Sequence, residues 1–228
     1  LPALGAARET ARSTQCSATL RQVGIAIYAY EVDFAVLPAG IHNSASYFDW
    51  TFSVPDDYMG GGGTGPAFAT RREKVLQCPA AEKDVETPGD DANHYSAHPR
   101  LMPDLNMPDP ANPGENLAVV RTEAVISASD KFLVIDGALN PLQNFSAQPL
   151  AKSVDNFRIF WQGLVAAPGD NLDELIDVGT NVDDASNFEQ PRFRHGGNTT
   201  ANAVHVDGHV QAHRFDEMTA RSTRILAR

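Results

Sequence analysis

The chain has 228 residues, 42% hydrophobic and 21% charged, which is the balance of a folded protein with enough length for one sizeable core. Its net charge of −11 argues against nucleic acid and anionic lipid surfaces as partners, since both demand a basic patch. No apolar run reaches the roughly eighteen residues that a membrane helix needs. The chain opens at Leu1 inside an Ala/Leu-rich stretch, which reads as a truncated or processed terminus.

Ala3 to Leu37, bracketed by Pro2 and Pro38, contains no proline and reads as one long helix. Cys16, Leu20, Val23, Ile27, Tyr30, Phe34 and Leu37 recur at spacings of three and four, which lays an apolar seam along one face. Such a helix would be roughly 50 Å long. A compact body of this chain length would be roughly 45 Å across, so the helix spans the molecule or protrudes from it. From Val23 to Tyr30 nearly every residue is apolar, which predicts cover on more than one side. Backward from Cys16 the seam fades through Ser13, Glu9 and Ala6, and Arg8, Glu9 and Arg12 sit among alanines. The C-terminal half is therefore expected to pack on a body and the N-terminal half to project. A long helix inside an ordinary α/β protein is the plainer alternative.

Two cysteines, Cys16 and Cys78, are too few for a disulfide scaffold or a four-cysteine zinc site. They either form one bridge pinning the helix to the body in an oxidising compartment, or remain two buried thiols. Beyond Pro38, Tyr47, Phe48, Trp50 and Phe52 surround Asp49, with alternation enough only for a short strand over Tyr47 to Val54. The run Gly60 to Gly65 is followed by Pro66 rather than Lys-Ser/Thr, so it reads as a surface loop and not a phosphate loop.

Residues 79 to 116 carry Pro79, Pro88, Pro99, Pro103, Pro108, Pro110 and Pro113 and read as turn-rich connection over the surface. His94 and His98 would share a metal on a helix, but not in a proline-rich loop. Leu117 to Arg121 and Glu123 to Ile126 are β-prone, Ser127 to Asp130 reads as a turn, and Lys131 to Gly137 reads as a central strand covered on both faces. Val154 to Val165 is aromatic and fits helix or strand. Residues 170 to 189 hold seven Asp and Glu residues with no Lys or Arg. Such a loop has the charge to take Ca²⁺, yet it lacks the EF-hand pattern, so a solvated acidic loop is expected.

The C-terminal block runs Phe193-Arg194-His195-Gly196-Gly197, then Ala203-Val204-His205-Val206-Asp207-Gly208-His209-Val210. Asp207-Gly208 between β-prone runs signals a hairpin. A three-residue loop with left-handed Gly208 pairs His205 with His209 and Val204 with Val210, sorting valines to one face and histidines to the other. A metallohydrolase would need ligands such as His195, His205, Asp207, His209 and His213. No His-Glu-x-x-His helix supports that chemistry, the histidines are expected to project from an exposed hairpin, and no Gly-x-Ser-x-Gly marks a nucleophile.

Leu1-Pro2-Ala3-Leu4, Ala7-Arg8-Glu9-x-Ala11-Arg12 and Cys16-x-x-x-Leu20-Arg21-Gln22-Val23-Gly24 together resemble the region just after the membrane helix of type IV pilin-like proteins. They are most similar to the pseudopilin-like group with prepilin-type cleavage and methylation. Arg194-His195 through Asp207-Gly208-His209-Val210 resembles that group's C-terminal His-to-Asp-Gly signature, although the eleven residues between His195 and Asp207 exceed its usual spacing. Cys78-Pro79 and Tyr95 to Pro103 are similar to the group's middle part.

The resemblance implies an α+β, pilin-like fold: a long N-terminal helix (residues 1–38) on an antiparallel β-sheet with long loops, the β-rich head occupying 39–228. It implies a precursor cut and N-methylated by a prepilin peptidase, anchored in the inner membrane by a helix absent here, with the head in the periplasm. The partners it implies are other pseudopilin subunits and components of a type II secretion system. Calcium is a cofactor of some major members. The expected function is accordingly that of a structural, non-catalytic subunit, with Cys16, Cys78, Leu20, Val23, Ile27, Tyr30, Phe34, His195, Asp207 and Gly208 in structural roles. A periplasmic carbohydrate- or ligand-binding module using Tyr47, Phe48, Trp50 and Trp161 is the alternative, and a metal-dependent hydrolase comes third.

Overall fold

A computed structural model describes residues 2–43, 48–60, 75–81, 93–109, 112, 114–140, 146–147, 165–166, 171–176, 178–185, 190–223 and 225–226. Most of the glycine run, Tyr47, Trp161 and nearly all of 154–165 lie outside the described residues. The elements in order are α1 (Pro2–Phe34), β1 (Ile41–Asn43), β2 (Phe48–Asp49), α2 (Trp50–Tyr58), β3 (Tyr95–Ala97), β4 (Phe132–Asp136), β5 (Leu139–Asn140), β6 (Ser146–Ala147), β7 (Val165–Ala166), β8 (Thr200–His205), β9 (Val210–Arg214) and β10 (Ile225–Leu226). The main sheet has strand order β3-β4-β8-β9 and is antiparallel throughout. With α1 laid on one of its faces, the architecture is α+β and pilin-like.

The helix follows its sequence period. Cys16, Leu20, Val23 and Ile27 are fully buried and join Leu133, Val134, Val204 and Val206 from the sheet in one core. Gly24 permits the close approach, since a Cβ there would stand 2.8 Å from Val204 Cγ2. Most of residues 3 to 15 are exposed, and Thr10 and Thr14 donate to the carbonyls four residues back. The seam ends sooner than expected. Ala35 takes φ +59 and stops the helix at Phe34, which is 58% exposed and stacks on half-buried Tyr30 with ring centroids 4.5 Å apart. Leu37 is buried beyond the helix, with its N–H donating to Val120 O at 2.7 Å. Val23 to Tyr30 is covered on more than one side, as its composition predicts: the sheet packs on one side, α2 on another through Trp50, Val54 and Tyr58, and Ile25 alone faces outward.

The sheet's second face carries its own smaller core of Phe132, Ile135, Ala201 and Ala203 against Phe193, Val178 and Met218 from loops. β4 is buried at all five positions, as its unbroken apolar run predicts. Three other expectations change. Residues 50 to 58 form a helix rather than a strand, because Asp49 caps it by accepting from Thr51 N at 2.8 Å. The proline-rich connection is not all surface, since β3 is a fully buried strand paired with β4, Tyr95 opposite Asp136. Residues 117 to 126 form no strand. Their polar groups are used elsewhere: Glu31 accepts from Thr122 N at 2.7 Å, and Leu117 N donates to Met107 O at 2.9 Å.

Candidate functional site

Cys16 and Cys78 are bridged, and both are buried. The bridge ties α1 to the stretch before β3, where Cys78 N donates to His94 Nδ1 at 2.9 Å. His195 Nε2 lies 3.7 Å from Cys78 Sγ and 3.1 Å from Asp136 Oδ2, which also accepts from Asn202 N at 2.7 Å. The first helix, the Cys78 segment, the end of β4, the turn before β8 and β8 itself thus meet at one buried point. His195 is brought there because Gly196, Gly197 and Asn198 all take positive φ and reverse the chain behind it. His195 N then donates to Thr200 O at 2.9 Å.

A His–Asp pair beside sulfur resembles the parts of a nucleophilic centre, but its environment fits a structural knot. The sulfurs are bonded to each other, and Asp136, His195 and both cysteines are at most 1% exposed, which leaves a substrate no approach. Cys16, Cys78 and His195 bring ligand atoms within 4.8 Å of one another, but the disulfide offers no thiolate for a metal.

Beside the knot, a cleft of about 470 Å³ opens between the exposed half of α1 and the His195–Thr200 turn, lined by Arg8, Glu9, Arg12, Arg194 and Gly197. Glu9 reaches across and accepts from Gly197 N, and Arg194 donates to Gly137 O. Asp183 in the acidic segment pairs with Arg192 at 3.1 Å and Arg194 at 3.6 Å, while Asp173 pairs with Arg221 at 2.7 Å. Asp183 is mostly covered by its arginines, whereas Asp173 stays largely exposed beside Arg221, so the described part of the acidic segment is mostly solvated, as expected.

The hairpin has the register its residues imply. Val204 pairs with Val210, His205 N donates to His209 O at 2.8 Å, and Gly208 takes φ +87. The histidines do share a face, yet they do not all project: His205 is buried, with its ring stacked on those of His209 and His213 at 4.2 and 5.1 Å. His205 Nε2 and His213 Nε2 are 2.9 Å apart. In the exposed turn, Asp207 Oδ1 lies 2.5 Å from His209 Nδ1. The structure therefore divides the five candidate metal ligands, with His195 at the knot and the other four on the hairpin.

The remaining candidates are held by backbone hydrogen bonds or core packing. His98 Nε2 donates to Thr223 O at 2.7 Å, while its Nδ1 accepts from Arg100 N at 3.1 Å and Leu101 N at 3.3 Å. Burial, first of all, lowers its pKa to about 4. His94 and His98 thus serve different backbones and share no site. Trp50 is fully buried in the core and does not belong to an aromatic platform. Asp136, 59 residues from His195, is the site residue that sequence reasoning missed, and only the polar end of an otherwise apolar strand hinted at it.

Residues 5–55 match a family model described as a protein of unknown function (DUF1559), SBP_bac_10. No curated protein matches the chain, and no solved structure does. The matched segment is α1 with its first connections, the part that carries Cys16 and the buried seam. Among the described residues, no helix is long and apolar enough to cross a membrane.

Proposed function

We propose that this protein is a structural, non-catalytic subunit of a pilin-like assembly of the type II secretion pseudopilus kind, with α1 as the element that packs against neighbouring copies. The observation that carries this reading is a second apolar stripe on α1. Leu4, Ala11, Ala18, Ile25 and Val32 recur every seven residues and all are exposed, Leu4 at 53%, Ile25 at 64% and Val32 at 83%. Two residues along a helix turn its face by about 200°, so this stripe lies opposite the seam of Cys16, Val23 and Tyr30. A repeat of seven is the spacing by which helices pack along each other. The head covers the seam side of the rod through the sheet and α2 and leaves this stripe to a partner.

The disulfide supports a head outside the cytoplasm, where such bridges persist. The buried, inaccessible His195–Asp136 pair fits a subunit without catalysis. In the same reading the precursor is cut by a prepilin peptidase and methylated, the head lies in the periplasm, and an upstream helix holds the chain in the inner membrane.

The test is Ile25→Glu combined with Val32→Glu. Both positions are exposed, so melting should stay within about 0.5 kcal/mol of wild type. Cross-linking of the protein in its own cells should lose its multimer ladder. A ladder that persists in the properly folded variant would refute assembly through α1.

A further inference from the structure

Of the hairpin histidines, two are hydrogen-bonded to each other through their ring nitrogens. His205 on β8 and His213 on β9 hold their Nε2 atoms 2.9 Å apart, on rigid paired strands of the main sheet. One ring is buried and the other half-buried, so the pair has one wall of protein and one opening to solvent. Burial, first of all, lowers the pKa of both rings, His205 to about 3, with each neighbouring imidazole adding to the effect. With both rings neutral, one Nε2 donates its N–H to the other, and an ion entering between them would replace that single shared proton.

The separation is informative. At metal–nitrogen distances of roughly 2.0–2.1 Å, two donors at right angles stand about 2.9 Å apart, whereas tetrahedral donors stand about 3.3 Å apart. The pair therefore has the spacing of adjacent corners in a square or octahedral site, the preference of Cu²⁺ and Ni²⁺, rather than that of tetrahedral zinc. Beside it, the His209 ring stacks on His205 and is held through Nδ1 by Asp207, which fixes that ring next to the pair.

We propose that His205 and His213 chelate one divalent copper or nickel ion through their Nε2 atoms on the outer face of the hairpin. The ring that now carries its proton between the two nitrogens shifts it to Nδ1 when the ion enters, and water fills the positions the protein leaves open. The site is independent of the pilin-like reading above: it asks for neither assembly nor anchoring.

The experiment titrates the purified, disulfide-intact chain with Cu²⁺, Ni²⁺ and Zn²⁺ in turn, and it follows the His205 and His213 ring resonances alongside calorimetry. Expected are one equivalent of Cu²⁺ or Ni²⁺ bound, Zn²⁺ bound more weakly, and selective broadening of both rings. His213→Gln should weaken Cu²⁺ by about tenfold or more, the order of loss seen when a metal site is damaged. Because the ring resonances report on the wild-type chain, poor folding of the variant would not remove the test. No binding, tighter Zn²⁺ than Cu²⁺, or broadening confined to His209 would overturn the proposal. Binding lost in His209→Gln but kept in His213→Gln would likewise overturn it, because the exposed turn and not the strand pair would then hold the ion.

Discussion

Gly24 and Val204 touch across the helix–sheet interface so closely that a Cβ at residue 24 would lie 2.8 Å from Val204 Cγ2. Two effects oppose each other in Gly24→Ala. Helix propensity would favour alanine by about 1 kcal/mol, while overpacking a fixed β-branched side chain costs about 1–3 kcal/mol. The steric term is the larger, so chemical denaturation should show a net loss of about 1 kcal/mol, and Gly24→Ala should cost less when it is made in a Val204→Ala background than in the wild type. A gain in stability for Gly24→Ala alone would mean that α1 rides higher on the sheet than described.

Ala35 offers the opposite sign. It sits exposed at φ +59 just after α1, a conformation costing a residue with a Cβ about 1–2 kcal/mol. Glycine relieves that cost but gives the unfolded chain freedom worth about 0.4–1 kcal/mol. Ala35→Gly should therefore raise stability by about 0.5–1 kcal/mol, visible as a higher denaturation midpoint at unchanged slope. A loss would show that the helix end is held otherwise.

The Cys16–Cys78 bridge closes a loop across a sequence separation of 62 and should constrain the unfolded chain by about 4 kcal/mol. Cys16→Ser with Cys78→Ser, compared with wild type in urea, should lose stability on that order. The loss should concentrate on α1, so amide exchange of Leu20 and Val23 should accelerate before that of Val134. Equal acceleration throughout would assign the bridge a global role rather than that of a helix clamp.

How much of this could be read beforehand depended on the range of the signal. The seam from Cys16 to Ile27 was legible because helix periodicity is local, and the hairpin register because only one loop length sorts Val204 and Val210 from the histidines. β3 was hidden: three residues between prolines carry no period, and the strand exists only because Tyr95 pairs with Asp136, a relation between distant segments. Leu117 to Ile126 misled for the converse reason, since β-prone residues there spend their hydrogen bonds on Glu31, Leu37 and Met107. The knot was least legible of all, as His195 meets Asp136 and Cys78 across separations of 59 and 117. The bare stripe from Leu4 to Val32 was present in the sequence, but it gains meaning only once the opposite face is seen to be buried.

Acid should destabilise the fold through its buried histidines. His98 has its Nδ1 turned to the N–H groups of Arg100 and Leu101, with Lys131 and Arg100 nearby, so a second proton has no place there. Its folded pKa is lowered to about 4 and that of His205 to about 3, against an ordinary 6.5. Above pH 6.5 neither folded nor unfolded chain protonates these rings, and they contribute no pH dependence. Below it the unfolded chain takes up protons that the folded chain refuses, so stability falls progressively from pH 6.5 toward pH 4. For His98 alone the full loss is on the order of 3 kcal/mol, a large share of the 5–15 kcal/mol that holds a typical domain. Denaturation midpoints measured from pH 7 to pH 4.5 should therefore decline, and the His98 ring resonances of the folded chain should stay unshifted across that range. Carboxylates lose charge over part of the same interval, which makes the ring the decisive reporter. If His98 titrates near pH 6.5 while the chain remains folded, its Nδ1 is open to a proton and the acid sensitivity has another origin.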